Sequence, residues 1–306
     1  MKILFFGTPE FGADILKSIL NTTHEILGVV CQVDKKGNRN RIIPCKVKDV
    51  AIENGLKVHQ FENINNETTF LNGVNADIWV TAAFGGIFSK KLLKIAKHGI
   101  INVHPSLLPK YRGATPVQSA LINGDNKTGV TIARTEEKLD SGEILMQESV
   151  EIFVADNSES LLKKTAIVGG ELLVKVLADI DNNSICAYSQ DEEAASYTKK
   201  ITNETRTICW ADDAAKIINL IRGLSPEPAA FCRINDQNLL IYDAQISQYN
   251  LNGDNGEVVK CDGQCLTIKC GKGCIDLLEL QASGGKRLKY KDFVNGRKLS
   301  IGDKLK

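Results

Sequence analysis

The sequence lacks the features that carry a chain into or across a membrane. Although 43% of the residues are hydrophobic, there is no apolar run of about 18 residues. The N-terminal MKILFFGTPEF has one lysine and a short apolar run but no small-residue cleavage site, so we interpret it as a first β-strand rather than a signal peptide. The nine cysteines are an odd number and are scattered through the chain, which favours reduced thiols. These absences together predict a cytoplasmic protein.

The sequence also lacks the common signatures of nucleotide and metal sites. GTPEFG (7–12) has neither the Gly-x-Gly-x-x-Gly spacing of a dinucleotide fold nor the Gly-Lys-Ser/Thr ending of a phosphate loop. CDGQCLTIKCGKGC (261–274) holds four cysteines in a C-x3-C-x4-C-x3-C pattern, whereas structural zinc sites more often use C-x2-C pairs. Cys265 and Cys270 also fall on opposite faces of a predicted strand. We therefore predict a tight turn at the first motif, core thiols at the second, and no metal.

The first half of the chain alternates strand-like and helix-like segments. Short apolar runs are typical of buried strands, and apolar residues at helical spacing separate them. Such an alternation predicts an α/β fold with a doubly wound, mostly parallel sheet, here in a domain of residues 1–188. The expected elements are strands 2–6, 25–33, 57–60, 77–84 and 100–104, helices 9–21, 45–55 and 89–99, an antiparallel strand pair at 128–135 and 142–150, and a helix at 158–180.

The second half changes character. Residues 189–206 are polar with little periodicity, which predicts a linker. WADDAAKIINLIRGL (210–224) predicts a helix, and short apolar segments split by Gly, Asn and Asp follow it. Five short strands with close turns predict a small β-barrel of the oligonucleotide-binding type, in a C-terminal domain of residues 207–306.

Basic residues are concentrated in two places on a chain whose net charge is only +1. One is DKKGNRNRIIPCKVK (34–48), and the other is residues 286–306, whose local charge is +6. Two such patches on a near-neutral protein favour a local anionic partner, although solvated loop lysines explain either patch alone equally well.

The segment INVHPSLLPKYRGATP (101–116) carries the most specific pattern of polar residues. Asn102 and His104 are two positions apart, so on a strand they project to the same side. Pro105 forces His104 out of helical geometry and ends the strand. In doubly wound sheets the active site lies beyond the carboxyl ends of the strands. We therefore expect an amide and an imidazole to be presented rigidly at that end.

Asp140, in EEKLDSGEIL, lies in a predicted tight turn between two strands. If this turn folds over the Asn102–His104 strand, an amide, an imidazole and a carboxylate meet. No serine or cysteine motif accompanies them, so a covalent acyl-enzyme is not indicated. The three groups suit direct attack of an amine on a carbonyl: Asn102 donates to the oxyanion, His104 bonds the same oxygen or takes the proton, and Asp140 orients the imidazole and holds a water.

FGTPEF, NVHPSLLPKYRG and LDSGEIL closely resemble the methionyl-tRNA formyltransferase family, and the resemblance extends over nearly the whole chain. It implies formyl transfer from 10-formyltetrahydrofolate to the α-amino group of methionine on initiator tRNA, in translation initiation, without a metal. The sequence departs from the family's usual Ala-Tyr-Gly and following proline at Phe84 and Ser89.

The resemblance also implies roles for individual residues. Asn102, His104 and Asp140 match the catalytic trio. The family's folate-binding loop corresponds to Ser106, Leu107, Leu108 and Pro109. The family's tRNA contacts correspond to Arg39, Arg41, Lys286 and Arg287. Phosphate contacts of this kind would make tRNA binding salt-dependent.

Two alternatives stay open at this point. One is a formyltransferase of the same fold that acts on a small amine, such as glycinamide ribonucleotide or an amino sugar. The other is a nucleic-acid-binding protein whose enzyme domain is inactive, against which the intact Asn102, His104 and Asp140 argue. A monomer is the default expectation for the oligomeric state.

Overall fold

The computed structural model describes residues 1–36, 42–43, 45–235, 237–296 and 299–306. The chain divides into two compact units. The first contains residues 1–116, 127–151 and 162–199, and the second contains residues 117–126, 152–161 and 200–306. The predicted linker of residues 189–206 therefore contributes its first part to one unit and its last part to the other, and the predicted domain boundaries stay a prediction.

The first unit is built on a seven-stranded sheet in the order β5-β2-β1-β6-β7-β8-β9. The first five of these strands pair in parallel, while β8 pairs antiparallel with β7 and β9 pairs antiparallel with β8. The predicted mostly parallel α/β sheet is confirmed. The strands of this sheet are β1 (Lys2–Gly7), β2 (Glu25–Gln32), β5 (Val58–Phe61), β6 (Ile78–Ala82), β7 (Ile100–His104), β8 (Lys127–Arg134) and β9 (Ile144–Glu151).

Alternate side chains of the central strands enter the cores on the two faces of this sheet. In β1, Ile3 and Phe5 belong to one buried cluster, and Leu4 and Phe6 belong to another. A parallel sheet covered on both faces needs such continuously apolar strands. The helices up to residue 181 are α1 (Glu10–Leu20), α2 (Lys46–Glu53), α3 (Thr68–Val74), α4 (Pro116–Ile122) and α5 (Ser158–Asp181). Of these, α4 from Val117 onward and the first turn of α5 fall in the second unit. Two short strands, β3 (Lys35–Lys36) and β4 (Ile42–Ile43), pair antiparallel with each other.

The helix predicted over residues 89–99 is wrong. The structure has a single 3₁₀ turn there, Leu92–Lys94, closed by tight hydrogen bonds such as Ile95 N–H to Leu92 O. Leu92 and Ala96 are both buried in this arrangement. Successive turns bury these apolar residues as an α-helix would. Their spacing alone therefore does not distinguish an α-helix from a series of turns.

The second unit holds an antiparallel sheet in the order β10-β11-β14-β13-β12, with β15 paired to β14. Helix α7 packs on it with a buried face that includes Ile217 and Ile221. The predicted C-terminal domain of short antiparallel strands is confirmed. Its elements are α6 (Asn203–Arg206), α7 (Ala214–Leu224), β10 (Ala230–Ile234), β11 (Gln237–Ile246), β12 (Val258–Cys261), β13 (Leu266–Lys269), β14 (Cys274–Ala282), β15 (Leu288–Lys289) and α8 (Tyr290–Gly296).

Residues 303–306 connect the two edge strands of this sheet. Val258 N–H donates to Asp303 O at 2.8 Å, on the β12 edge. Lys306 exchanges two backbone hydrogen bonds with Arg233 on the β10 edge, at 2.6 and 2.8 Å. The last residues therefore act as a strap that satisfies backbone groups on both edges, which open sheets leave exposed.

None of the helices in the described ranges is long and apolar enough to cross a membrane. All nine cysteines are free thiols, and Cys265, Cys270 and Cys274 are buried. Among the described residues, no cluster of three or more His, Cys, Asp or Glu side chains could hold a metal ion.

Candidate active site

Asn102 is held by the neighbouring strand. Thr81 pairs with it in register across β6 and β7, and the Thr81 hydroxyl donates to Asn102 Oδ1 at 2.7 Å. On the other side, Asn102 Nδ2 lies 3.4 Å from Asp140 Oδ1. Because a carboxylate only accepts hydrogen bonds, the NH₂ group must be the end that faces Asp140. One of its two N–H groups therefore stays available for a developing oxyanion. Thr81 was not predicted from the sequence; its signal is a hydroxyl at the carboxyl end of an adjacent strand.

His104 is 4% exposed at the end of β7. Its Nε2 lies 3.0 Å from the carbonyl oxygen of Tyr111. A carbonyl oxygen only accepts, so Nε2 carries the proton, and in the neutral ring Nδ1 carries the lone pair. Nδ1 lies 3.8 Å from Asp140 Oδ2, which is too long for a hydrogen bond. The Tyr111 carbonyl therefore orients the ring, the role that was predicted for Asp140 from the sequence.

Asp140 occupies a left-handed backbone conformation with φ +49°. Aspartate adopts this region more readily than most residues. Its Oδ2 accepts from the Gly113 N–H at 2.7 Å, and only 13% of its side chain is exposed. The structure therefore brings Asn102, His104 and Asp140 together at the carboxyl end of β7. The arrangement offers an N–H donor, a basic nitrogen and a carboxylate around one point.

The loop of residues 106–109 is tied down mainly through its backbone. Ser106 and Leu108 are buried, at 0% and 3% exposure, while Leu107 and Pro109 are half-buried. The Ser106 hydroxyl donates to Lys110 O at 2.7 Å, and Leu108 joins a small apolar cluster with two residues of the adjacent strands. A ligand at this loop would therefore meet Leu107, Pro109 and backbone groups, since the Ser106 and Leu108 side chains point inward.

Thr131 is the buried anchor of this loop. Its hydroxyl donates to Ser106 O at 2.7 Å and accepts from Leu108 N–H at 3.0 Å and from Gln147 Nε2 at 2.8 Å. Thr131 is 0% exposed, so water cannot replace these partners.

We expect Thr131→Val to lower the free energy of unfolding by about 1–3 kcal/mol, because it leaves buried polar groups unpaired. Thr128→Val, in the same strand, is the matched control: within the described residues the buried Thr128 hydroxyl has no hydrogen-bond partner, so its loss should be neutral or stabilising. Urea denaturation of both variants measures the difference. Equal stabilities would show that Thr131 does not anchor the loop.

Arg112 is fully buried beside the site. Its guanidinium donates to Gln190 Oε1, to both carboxylate oxygens of Glu192 and to the Tyr197 hydroxyl. Arg112, and after it Lys138, lowers the pKa of Glu192 to about 2. Because this pKa lies below its usual value of 4.5, the resulting stabilisation is present above about pH 4.5 and is lost as the pH falls toward 2.

Phe84 is a core residue. Its ring is 5% exposed, lies 5.7 Å from the Phe88 ring and meets the Phe6 ring edge-on at 5.3 Å. The phenylalanine that stands where the family usually has tyrosine therefore packs inside the first unit.

The structure describes only part of the predicted tRNA-contacting set. Arg39 and Arg41 lie outside the described residues. Lys286 and Arg287 are exposed in the turn between β14 and β15. Arg287 lies 4.3 Å from the Tyr242 ring centroid and pairs with Glu279 at 2.5 Å, which raises the pKa of the guanidinium.

Comparison with known proteins identifies the class of enzyme. The Formyl transferase family model matches residues 1–177, and the model of the formyl transferase C-terminal domain matches residues 200–298. A methionyl-tRNA formyltransferase of Sulfurihydrogenibium sp. (strain YO3AOP1) is 37% identical over 310 residues, covering 100% of both chains. One of Fusobacterium nucleatum subsp. nucleatum is 36% identical over 311 residues, again covering 100% of both. This chain therefore belongs to the methionyl-tRNA formyltransferase family.

A solved structure supports the same fold. The chain resembles WlaRD, described as a sugar 3N-formyl transferase in the presence of dTdp and 5-N-Formyl-THF, with a TM-score of 0.70 and 21% identity. The similarity covers 92% of this chain and 97% of WlaRD. At this identity the comparison shows the fold, and the substrate has to be argued from the sequence relatives and the site.

Proposed function

We propose that this protein transfers the formyl group of 10-formyltetrahydrofolate to the α-amino group of methionine esterified to initiator tRNA. The observation that carries the proposal is the convergence of Asn102, His104 and Asp140 at the carboxyl end of β7, in a chain similar over its full length to named methionyl-tRNA formyltransferases.

The geometry suggests how the three side chains share the reaction. The methionine nitrogen attacks the formyl carbon, and the resulting oxyanion accepts a hydrogen bond from Asn102 Nδ2. His104 Nδ1, which carries the lone pair, takes the proton from the attacking nitrogen. The nearby Asp140 carboxylate stabilises the imidazolium that forms. Breaking the bond between the formyl carbon and N10 releases tetrahydrofolate, whose N10 receives that proton from His104.

We also propose which residues contact the folate co-substrate and the tRNA. The loop of Ser106, Leu107, Leu108 and Pro109 would hold the folate, with Leu107 and Pro109 as its accessible side chains. The tRNA would meet Arg39 and Arg41, which lie outside the described residues, and Lys286 and Arg287 in the C-terminal domain. Because its substrate is an aminoacylated tRNA, we also propose that the enzyme is cytoplasmic. A monomer is the proposed oligomeric state. No step of this scheme uses a metal.

A sugar formyltransferase is the main alternative. Because WlaRD aligns with 92% of this chain, possession of a C-terminal unit does not by itself favour tRNA over a small amine. The identity of 36–37% to methionyl-tRNA formyltransferases over the whole chain is the observation that favours tRNA.

An assay of the purified protein with 10-formyltetrahydrofolate and three acceptors tests the proposal. We expect formyl transfer to initiator methionyl-tRNA, with little transfer to glycinamide ribonucleotide or to a nucleotide-linked amino sugar. Deacylated initiator tRNA is the control, because it lacks the amine. Faster transfer to either small amine would assign the other substrate class, and no transfer to any acceptor would contradict the enzyme proposal.

A further inference from the structure

A polar segment after α5, residues 190–198, lies against the candidate active site within the first unit. We call it the clasp. Its backbone pairs with Arg112, whose N–H donates to Ser196 O at 2.8 Å and whose carbonyl accepts from Thr198 N–H at 2.8 Å. The chemistry of the proposed reaction does not use this segment, so its contacts with the site need their own explanation.

Gln190 of the clasp binds the turn that carries Asp140. Its Nε2 donates to the backbone carbonyl of Asp140 at 2.9 Å and to that of Gly142 at 2.7 Å. Its Oε1 accepts from Arg112 Nε at 3.1 Å and Nη2 at 2.8 Å. An amide has two donor hydrogens and two acceptor lone pairs, so Gln190 is saturated. Its orientation is also fixed, because carbonyls only accept and guanidinium only donates.

The turn needs this support. Asp140 has φ +49°, a region that L-residues populate sparsely. A Cβ added at Gly142 would lie 2.0 Å from Arg134 O, so the chain passes very close to its neighbour here. Glu192 also pairs with Lys138, two residues before Asp140, at 2.5 Å. The clasp therefore holds this turn on both sides of the aspartate.

The clasp also reaches His104. The Ser196 hydroxyl accepts from Tyr111 N–H at 2.9 Å. Tyr111 itself has φ +61°, and its carbonyl is the acceptor that fixes the His104 ring. Two left-handed residues are thus held by the same segment: Asp140 itself, and Tyr111, which hydrogen-bonds His104.

We propose that Gln190, held by Arg112, is a positioning residue. It orients the Asp140 carboxylate by fixing the backbone of the turn that carries Asp140. This inference rests on the proposed function. Gln190 touches no reacting atom; it acts through two hydrogen bonds to main-chain carbonyls.

The test is the steady-state kinetics of Gln190→Glu. This change keeps the side-chain shape and the acceptor for Arg112 but puts an oxygen opposite the two carbonyls. We expect kcat to fall about 10–100-fold, because small misplacements of catalytic groups cost this much, while KM for 10-formyltetrahydrofolate stays unchanged. Glu193→Gln, at an exposed clasp position, is the control and should keep the wild-type kcat.

Several results would overturn the inference. A folded Gln190→Glu enzyme with wild-type kcat would show that the two hydrogen bonds are not needed. A parallel rise in KM would point to general loosening of the site. If Gln190→Glu does not fold, Gln190→Met removes the same donors without adding charge. If neither variant shows a thermal unfolding transition, the role of Gln190 is purely structural. Inactive wild-type protein would instead contradict the proposed function.

Discussion

Replacement of His104 by alanine is expected to lower kcat by about 10²–10⁴-fold, the usual contribution of a positioned general base. The reason is the ring's fixed orientation: Nε2 is committed to the Tyr111 carbonyl, so Nδ1 is the nitrogen available to take the amine proton. Single-turnover formylation of initiator methionyl-tRNA at saturating folate measures this effect without a contribution from product release.

His98→Ala is the matched control for this variant. His98 precedes β7 and therefore lies at the amino end of the strand whose carboxyl end carries His104. Its hydrogen bonds to other described residues are made by the backbone, which alanine retains: its N–H donates to Asp77 O and its carbonyl accepts from Arg134. Since His104→Ala removes the hydrogen bond from Nε2 to the Tyr111 carbonyl, thermal unfolding should be recorded for both variants. A His104→Ala enzyme that keeps near-wild-type turnover would remove the histidine from the mechanism.

Asn102→Ala should lower kcat by about 10²–10³-fold, the typical cost of losing one oxyanion donor. Thr81 holds Oδ1, so Nδ2 faces the site, and alanine removes that donor without adding bulk. Binding of a non-reactive tetrahydrofolate, followed by fluorescence, should be unchanged, because the stabilised charge develops only in the transition state.

Asn182→Ala provides the comparison for this substitution, because it makes the same change at an exposed position at the end of α5. It should leave both kcat and folate binding intact. If Asn102→Ala instead weakened folate binding and kept its turnover, the amide would be a binding group and the oxyanion role would be wrong.

The sequence was most informative where a strand runs directly into a proline. The bounds of β7 agree with the predicted strand 100–104, because the strand is apolar and Pro105 ends it. The alternation of two side chains along that strand was enough to place Asn102 and His104 on one side. From the residues alone, Asp140 could be paired with them only on the condition that its distant turn folds over β7, and the family resemblance implied that pairing.

The sequence was least informative where polar contacts, and not apolar packing, fix the conformation of the chain. The clasp has no apolar periodicity, so a pattern of hydrophobic residues describes it as part of a linker. It is ordered by a fully buried guanidinium and by amide and hydroxyl groups that meet only in three dimensions. The Tyr111 carbonyl that fixes the imidazole could not be predicted either. Every residue has a main-chain carbonyl, so residue types do not reveal which one accepts this hydrogen bond.

The strap of residues 303–306 has a consequence for self-association. It makes hydrogen bonds to β12 and to β10, which lie at opposite edges of the C-terminal sheet, so its detachment would free backbone groups on both strands at once. Exposed edge groups of this kind can pair with other chains. The contacts of this one short segment therefore guard the sheet against misassociation at both edges.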